Sequence, residues 1–304
     1  MTGPGERLML LDTASLYFRA FFGVPDSLRA PDGSPVNAVR GLLDFVARLV
    51  TVHRPTRLVA CMDADWRPDF RAAAVPSYKA HRLAPGGGEQ VPDELTPQVP
   101  VIEAVLDAFG LARVGVRGFE ADDVIGTIAA RADCPVDVVS GDRDLFQVVD
   151  DARGVRVLYT ARGVGRLEVV DDGEVLRRYG VPGRLYADFA TLRGDPSDGL
   201  PGVRGVGEKT AATLVDRFGA VEDLLMALED PASDLSPTVR ARLRAARDYL
   251  VVAPAVARVR TDVPLPFYDD RLPTEPADPE ALVALSDRWG LDGSVNRVLN
   301  ALVA

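Results

Sequence analysis

Nine acids, Asp12, Asp63, Glu120, Asp122, Asp123, Asp142, Asp144, Asp195 and Asp198, fall where apolar runs end or helical stretches begin. Within Gly118-Phe-Glu-Ala-Asp-Asp-Val-Ile, Glu120 and Asp123 are three apart at a helix start and share a face, with Asp122 alongside. Asp142 and Asp144 leave a strand two residues apart and point the same way while the chain stays extended. Such acids repel when gathered in one cleft. At about 5 Å and an effective dielectric near 20, each like-charge pair costs on the order of 3 kcal/mol, so cations are needed. Oxygen donors without histidine or cysteine select hard divalent ions, Mg²⁺ or Mn²⁺. Two such ions ionise a water and stabilise a leaving oxygen, which hydrolyses a phosphodiester without a protein nucleophile. Taken singly, Asp12 ahead of Ser15 reads equally as a helix cap, the 120–123 acids as partners of a helix dipole, and Asp195-Pro-Ser-Asp-Gly199 as a turn. Their joint placement favours the metal cleft.

A second motif adjoins the last two acids. Gly194 to Ala212 joins two helical stretches through Gly202, Gly205 and Gly207, whose lack of side chains lets the backbone approach a surface. The following helix presents free N–H groups and a positive dipole end, a phosphate clamp that reads no bases. Lys209 and Thr210 stand in its first turn. A third motif is basic and aromatic, Trp66 to Arg71 and Tyr78 to Arg82, with a flexible tip at Ala84-Pro-Gly-Gly-Gly-Glu89. The chain has 33 arginines and only two lysines, Lys79 and Lys209, and both lie inside these motifs.

The elements that must position these groups alternate. Arg7–Asp12, Arg57–Asp63 and Val136–Asp142 read as buried strands ending in an aspartate, with further strands at Val155–Tyr159 and Leu167–Val170. Helical stretches at Ala14–Phe22, Val36–Val52, Pro97–Phe109 and Ala121–Ala132 separate them, which predicts an α/β fold with a mostly parallel central sheet flanked by helices. Ligands of such sheets sit at the carboxyl ends of the strands. The spacing predicts an α/β unit over 1–180 with an insertion at about 66–100. A helical duplex-binding subdomain follows over 181–250, and then, over 251–304, a proline-rich tail that wraps the body and terminal helices that pack on it, the first clear one Glu280–Trp289.

The 304 residues are 47% apolar and 26% charged, a globular mixture that excludes fibrous and disordered classes. No run reaches the roughly 20 apolar residues of a membrane span, and Met1 to Arg7 has no leader pattern, so a cytoplasmic protein is expected. Two cysteines, Cys61 and Cys134, read as reduced buried thiols, and with two histidines they exclude a zinc cage. A net charge of −10 argues against a nucleic-acid partner until the nine site acids are set aside, which leaves the remainder near neutral.

With these residues in place the chain resembles the bacterial 5′-nuclease/flap endonuclease family, which includes the nuclease portion of DNA polymerase I. The resemblance runs from Leu8 to about Leu228. It is carried by Leu11-Asp12, Arg19 to Phe22, Asp63, Phe70-Arg71, Tyr78-Lys79, Arg82, Phe119 to Asp123, Ser140 to Leu145 and Gly194 to Ala212. It implies a PIN-like nuclease fold with a helical arch and a helix-hairpin-helix subdomain, in a stand-alone member with no polymerase after Ala304. Asp12, Asp63, Glu120, Asp122 and Asp142 would hold or flank a first metal pocket; Asp123, Asp144, Asp195 and Asp198 would complete a second. Lys79 and Arg82 would stand at the arch base, Lys79 near the scissile phosphate, with Arg19 beside the metals. Tyr78 would stack on a base, Arg71 would contact the strand, and the 202–207 hairpin would be a potassium-assisted duplex anchor at Val203 and Val206. The implied partners are DNA with a 5′ flap, overhang or gap, or RNA-primed 5′ ends, met by a monomer in replication and repair. The chain departs from the family pattern in its longer arch tip and in Arg143, where lysine is frequent. Competing readings are a catalytically silent DNA-junction binder and a ribonuclease of related acid-cleft folds, which lack the hairpin.

Overall fold

The computed structural model describes residues 5 to 303. The leading residues 1–4, part of the stretch read for a leader, lie outside the described residues.

Six strands form one sheet in the order β3-β2-β1-β4-β5-β6. They are β1 (Leu8–Asp12), β2 (Arg57–Cys61), β3 (Ala112–Val114), β4 (Val136–Ser140), β5 (Val155–Tyr159) and β6 (Glu168–Val170). The first five run parallel and β6 returns antiparallel at the edge. All five residues of β1 are buried, as a strand covered on both faces requires. Leu8 and Leu10 feed one core layer, Met9 and Leu11 the other. The second layer holds α1 (Thr13–Gly23), α2 (Asn37–His53), α4 (Val99–Phe109), α13 (Pro279–Trp289) and α14 (Asp292–Leu302), with α14 packed along α2. The first layer holds α5 (Ala121–Arg131), α6 (Asp172–Tyr179), α7 (Tyr186–Arg193), α8 (Glu208–Phe218), α9 (Val221–Glu229), α10 (Pro237–Ala245) and α11 (Arg247–Val252). Two short helices, α3 (Asp69–Ala74) and α12 (Pro254–Ala257), pack on each other.

The mostly parallel sheet and its flanking helices match the reading from sequence. The three-residue β3 was not foreseen, and α14 had no bounds in a reading that expected terminal helices packing on the body. The expected helical arch takes another form. Among the described residues between Ala74 and Val99 there are only the 3-10 turns Ala80–Arg82 and Thr96–Gln98 and a hairpin closed by the Leu83–Glu89 bridge. Pro76, Pro85 and Pro92 lack the N–H a helix needs, and Gly86 to Gly88 favour a turn.

Beyond α12 the tail runs across α5, where Arg260 accepts from Thr127 Oγ1 through its carbonyl at 3.2 Å. It then pairs antiparallel with the start of β2: Leu58 N donates to Asp270 O at 2.7 Å and Leu272 N to Thr56 O at 3.1 Å. Arg57 locks the crossing through both Asp270 oxygens, at 2.9 and 2.8 Å.

Candidate functional site

The carboxyl ends of β1, β2 and β4 and the start of α5 open into one cleft of about 360 Å³, lined by Asp12, Asp63, Glu120, Asp122 and Asp142 together with Lys79 and Arg82. The strand order reverses direction at β1, so the crevice lies where open parallel sheets leave room for ligands. Asp12 ends β1 and caps α1: one oxygen accepts from Ser15 N at 3.2 Å, the other from Ser140 Oγ at 2.5 Å. The cap and the cleft readings of this residue are therefore both true. Asp63 accepts from Ala121 N at 2.7 Å and ties β2 to the head of α5. Asp142 accepts from Asp144 N at 2.9 Å in the turn after β4.

The second loop meets this cleft through a backbone contact. Lys79 N donates to Asp198 O at 2.9 Å, and Gly199, at φ +72°, leaves room for Ser77 O, which would stand 2.1 Å from any Cβ there. Asp195 accepts from Ser197 N at 2.9 Å and from Arg193 at 3.1 Å. The charges of Asp195 and Asp198 act on both Asp142 and Asp144.

Burial, then the neighbouring charges of Asp63 and Asp142, lifts Asp12 from 3.8 to about 7 against the pull of Ser140. Burial and the charges of Asp142 and Asp12 push Asp122 well above the carboxylate range, and burial with Asp142, Asp198 and Asp195 does the same for Asp144. Asp142 is raised by burial and Asp198. Four acids thus stand short of counter-charge in a donor set made only of oxygen, which fits hard divalent cations. Among the described residues no three of these side chains are already drawn around one ion-sized point.

The structure corrects three expectations. Asp123 is not a cleft acid: it is fully buried, and Arg71 grips both its oxygens at 2.8 and 2.6 Å. Asp123 also accepts from Glu120 N at 3.2 Å and Arg260 N at 2.9 Å, so it has no lone pair directed at solvent. Arg71 is 2% exposed and shared between Asp123 and Glu120, which leaves it no strand to contact. Tyr78 is 3% exposed and donates its hydroxyl to Glu120 at 2.7 Å, so it offers no face to a base. Glu120 lines the cleft but is held by Arg71, Tyr78 and Lys79.

Burial works against the Lys79 charge, but Glu120, Tyr78, Asp198 and Asp122 together hold its pKa well above the usual value, and its backbone takes the left-handed conformation at φ +47°. Arg82 donates to Ser197 O at 2.8 Å and to Asp198 at 3.2 Å. Arg19 lines the neighbouring groove beside Gly141, its buried Nε without a hydrogen-bond partner among the described residues. Sequence reading missed Ser140 and Glu89, which respectively hold Asp12 and line the cleft from the arch tip. A hydroxyl one residue before Gly141-Asp142 was the available signal for the first.

At the hairpin, Gly202 has φ +65°, and a Cβ would fall 2.5 Å from Gly194 N and 2.6 Å from Arg193 O. Gly205 is also left-handed, and Gly207 caps α8 with extended backbone. Val203 and Val206 bury their side chains and Val206 N donates to Val203 O at 2.9 Å. Lys209 is exposed and Thr210 half-buried on the first turn of α8. Arg242 of α10, also missed, braces the turn by donating to Gly205 O at 2.9 Å.

Comparison with known proteins meets this geometry from outside. Residues 7–180 match the model of the 5′-3′ exonuclease N-terminal resolvase-like domain and residues 181–280 that of the 5′-3′ exonuclease C-terminal SAM fold. A 5′-3′ exonuclease of Streptomyces coelicolor is 64% identical, over 97% of this chain and 100% of its own. DNA polymerase I of Mycobacterium tuberculosis is 38% identical over 98% of this chain, which spans 32% of that protein. In fold, the bacteriophage T5 flap endonuclease, solved as a pseudo-enzyme-product complex with DNA and metal ions, aligns with TM-score 0.62 at 18% identity over 98% of this chain and 100% of that one. Matched along both parts and at this identity, the chain belongs to the 5′-3′ exonuclease family of nucleases, hydrolases acting on DNA.

Proposed function

We propose that the chain is a divalent-metal-dependent, structure-specific 5′ nuclease that cuts phosphodiesters near the junction of single and double strand, as flap endonuclease and 5′-3′ exonuclease. The observation that carries this reading is the cleft in which Asp12, Asp122 and Asp142 share burial and unbalanced charge, with Asp144 buried behind Asp142 and acted on by it. Asp12, Asp63, Asp122 and Asp142, with Glu120 at the rim, would hold one Mg²⁺ or Mn²⁺, and Asp144, Asp195 and Asp198 another. Bound ions supply an ionised water and charge for the leaving oxygen. Ser15 and Ser140 fix the Asp12 oxygens, and Ala121 N fixes Asp63. Lys79 and Arg82 place two cations on the same wall, where a phosphate would meet them. The 202–207 hairpin and the head of α8 would grip the duplex backbone without reading bases, with potassium at Val203 and Val206.

The substrates so implied are 5′ flaps, overhangs and gaps, including RNA-primed ends, handled by a monomer in the cytoplasm during replication and repair. Residues 1–180 would act as the nuclease body, 181–250 as the duplex grip and 251–304 as the strap across them. Incubation with Mg²⁺ or Mn²⁺ and a 5′-labelled flap tests the reading: short labelled products support it, and intact substrate with both ions overturns it. A junction binder without catalysis would give that second result while still shifting the flap on a gel.

A further inference from the structure

Three cations line the cleft, Lys79, Arg82 and Arg143. Arg143, between Asp142 and Asp144 in sequence, lines the same cleft together with Tyr159. Lys79 is committed to Glu120 and Arg82 to Asp198, whereas Arg143 is in no ion pair among the described residues. Tyr159, which lines the cleft with it, belongs to a packed aromatic cluster: Phe146 meets Tyr159 at 5.1 Å and Tyr186 at 5.6 Å, and Tyr179 meets Tyr186 at 5.1 Å, all edge to face. Arg143 itself remains exposed. An exposed arginine on the cleft wall with no carboxylate partner among the described residues is free to take an anion arriving from solvent.

We propose that Arg143 is a substrate-positioning residue that grips a phosphate of the bound strand next to the one being cut. The inference rests on the nuclease reading above. A guanidinium offers a phosphate two parallel N–H donors in a planar fork, which an ammonium cannot match. Its neighbours Asp142 and Asp144 belong to the proposed metal set, so a phosphate held by Arg143 fixes the strand relative to that set.

The test uses the full chain with Mg²⁺ and a 5′-flap duplex, measuring kcat/KM against salt for the unaltered protein, Arg143→Lys and Arg143→Ala. Arg143→Ala should lower kcat/KM roughly tenfold to a hundredfold, mainly through KM. It should also make the salt dependence shallower by about one counterion, which loss of a merely structural contact would not do. Arg143→Lys should keep the salt slope and recover only part of the rate. Substrates carrying a neutral methylphosphonate at one phosphate at a time complete the cycle. At one position beside the scissile bond the alanine variant should lose nothing further. An unchanged salt slope, or losses that add at every methylphosphonate position, overturns the inference while the nuclease reading stands. An unaltered protein that leaves the flap intact overturns both.

Discussion

Within five residues, Phe119-Glu-Ala-Asp-Asp123, two neighbouring aspartates have opposite surroundings. Asp122 lines the cleft, where the charges of the acids Asp142 and Asp12 act on it more strongly than that of Lys79, while Asp123 turns inward onto Arg71. Around Asp123 the charges close: Arg71 joins Asp123 and Glu120, Lys79 joins Glu120, and Tyr78 and Arg260 supply further donors. Around Asp12, Asp142 and Asp144 they do not. A closed buried network is a structural clamp that fails when one partner is removed, and an open one is a site awaiting cations.

Mutation separates the two regions. The largest expected effect is on turnover at the open end. Asp144→Asn or Asp142→Asn should lower kcat on a 5′ flap by roughly a thousandfold, the scale of several kcal/mol of metal assistance, while stability stays level or rises. At the closed end, Arg71→Ala should cost about 3 to 5 kcal/mol of stability in urea unfolding, because two buried acids lose their partner. Asp123→Asn should lower Tm yet leave cleavage per folded molecule within a few-fold. Loss of cleavage in a stable Asp123→Asn protein would erase the distinction.

The next effect is smaller and depends on pH. Asp12 stands at about 7 in the folded chain against 3.8, and Asp122, Asp142 and Asp144 are raised with it. A raised carboxyl binds its proton more tightly when folded, so this contribution to stability is complete below about pH 4 and disappears as pH climbs through 7. Without divalent metal, Tm should therefore fall by several degrees between pH 5 and pH 8, and Mg²⁺ should restore it at the upper end. A flat metal-free profile would show that the acids are not crowded. The smallest effect lies at the hairpin. Lys209→Ala should weaken flap binding a few-fold and alike for every sequence, with a shallower salt dependence.

The legibility of the molecule in its sequence follows the same divide. Apolar runs ending in an acid revealed β1, β2 and β4 and placed Asp12, Asp63 and Asp142 at their carboxyl ends, since burial on both faces demands such runs. Strand β3 is too short to show a pattern, and its pairing partner β2 decides it. Terminal helices were expected, but the bounds of α14 were not legible behind Gly290 and Gly293, although Val295, Val298 and Ala301 bury one face. Spacing put Glu120 and Asp123 on one helix face but could not say what that face meets, because Arg71 lies 52 residues upstream of Asp123. Tyr78 and Arg71 looked like strand-binding groups for the same reason: their types suit nucleic acid, and only the packing of α3 against α5 and the tail makes them internal.

The account stands on divalent ions among the open acids. Anomalous scattering from a crystal soaked in Mn²⁺ measures this directly: manganese peaks are expected within coordination distance of Asp12, Asp63, Asp122, Asp142 or Asp144, with none at Asp123. Peaks elsewhere on the molecule, or an empty cleft at millimolar Mn²⁺, would contradict it.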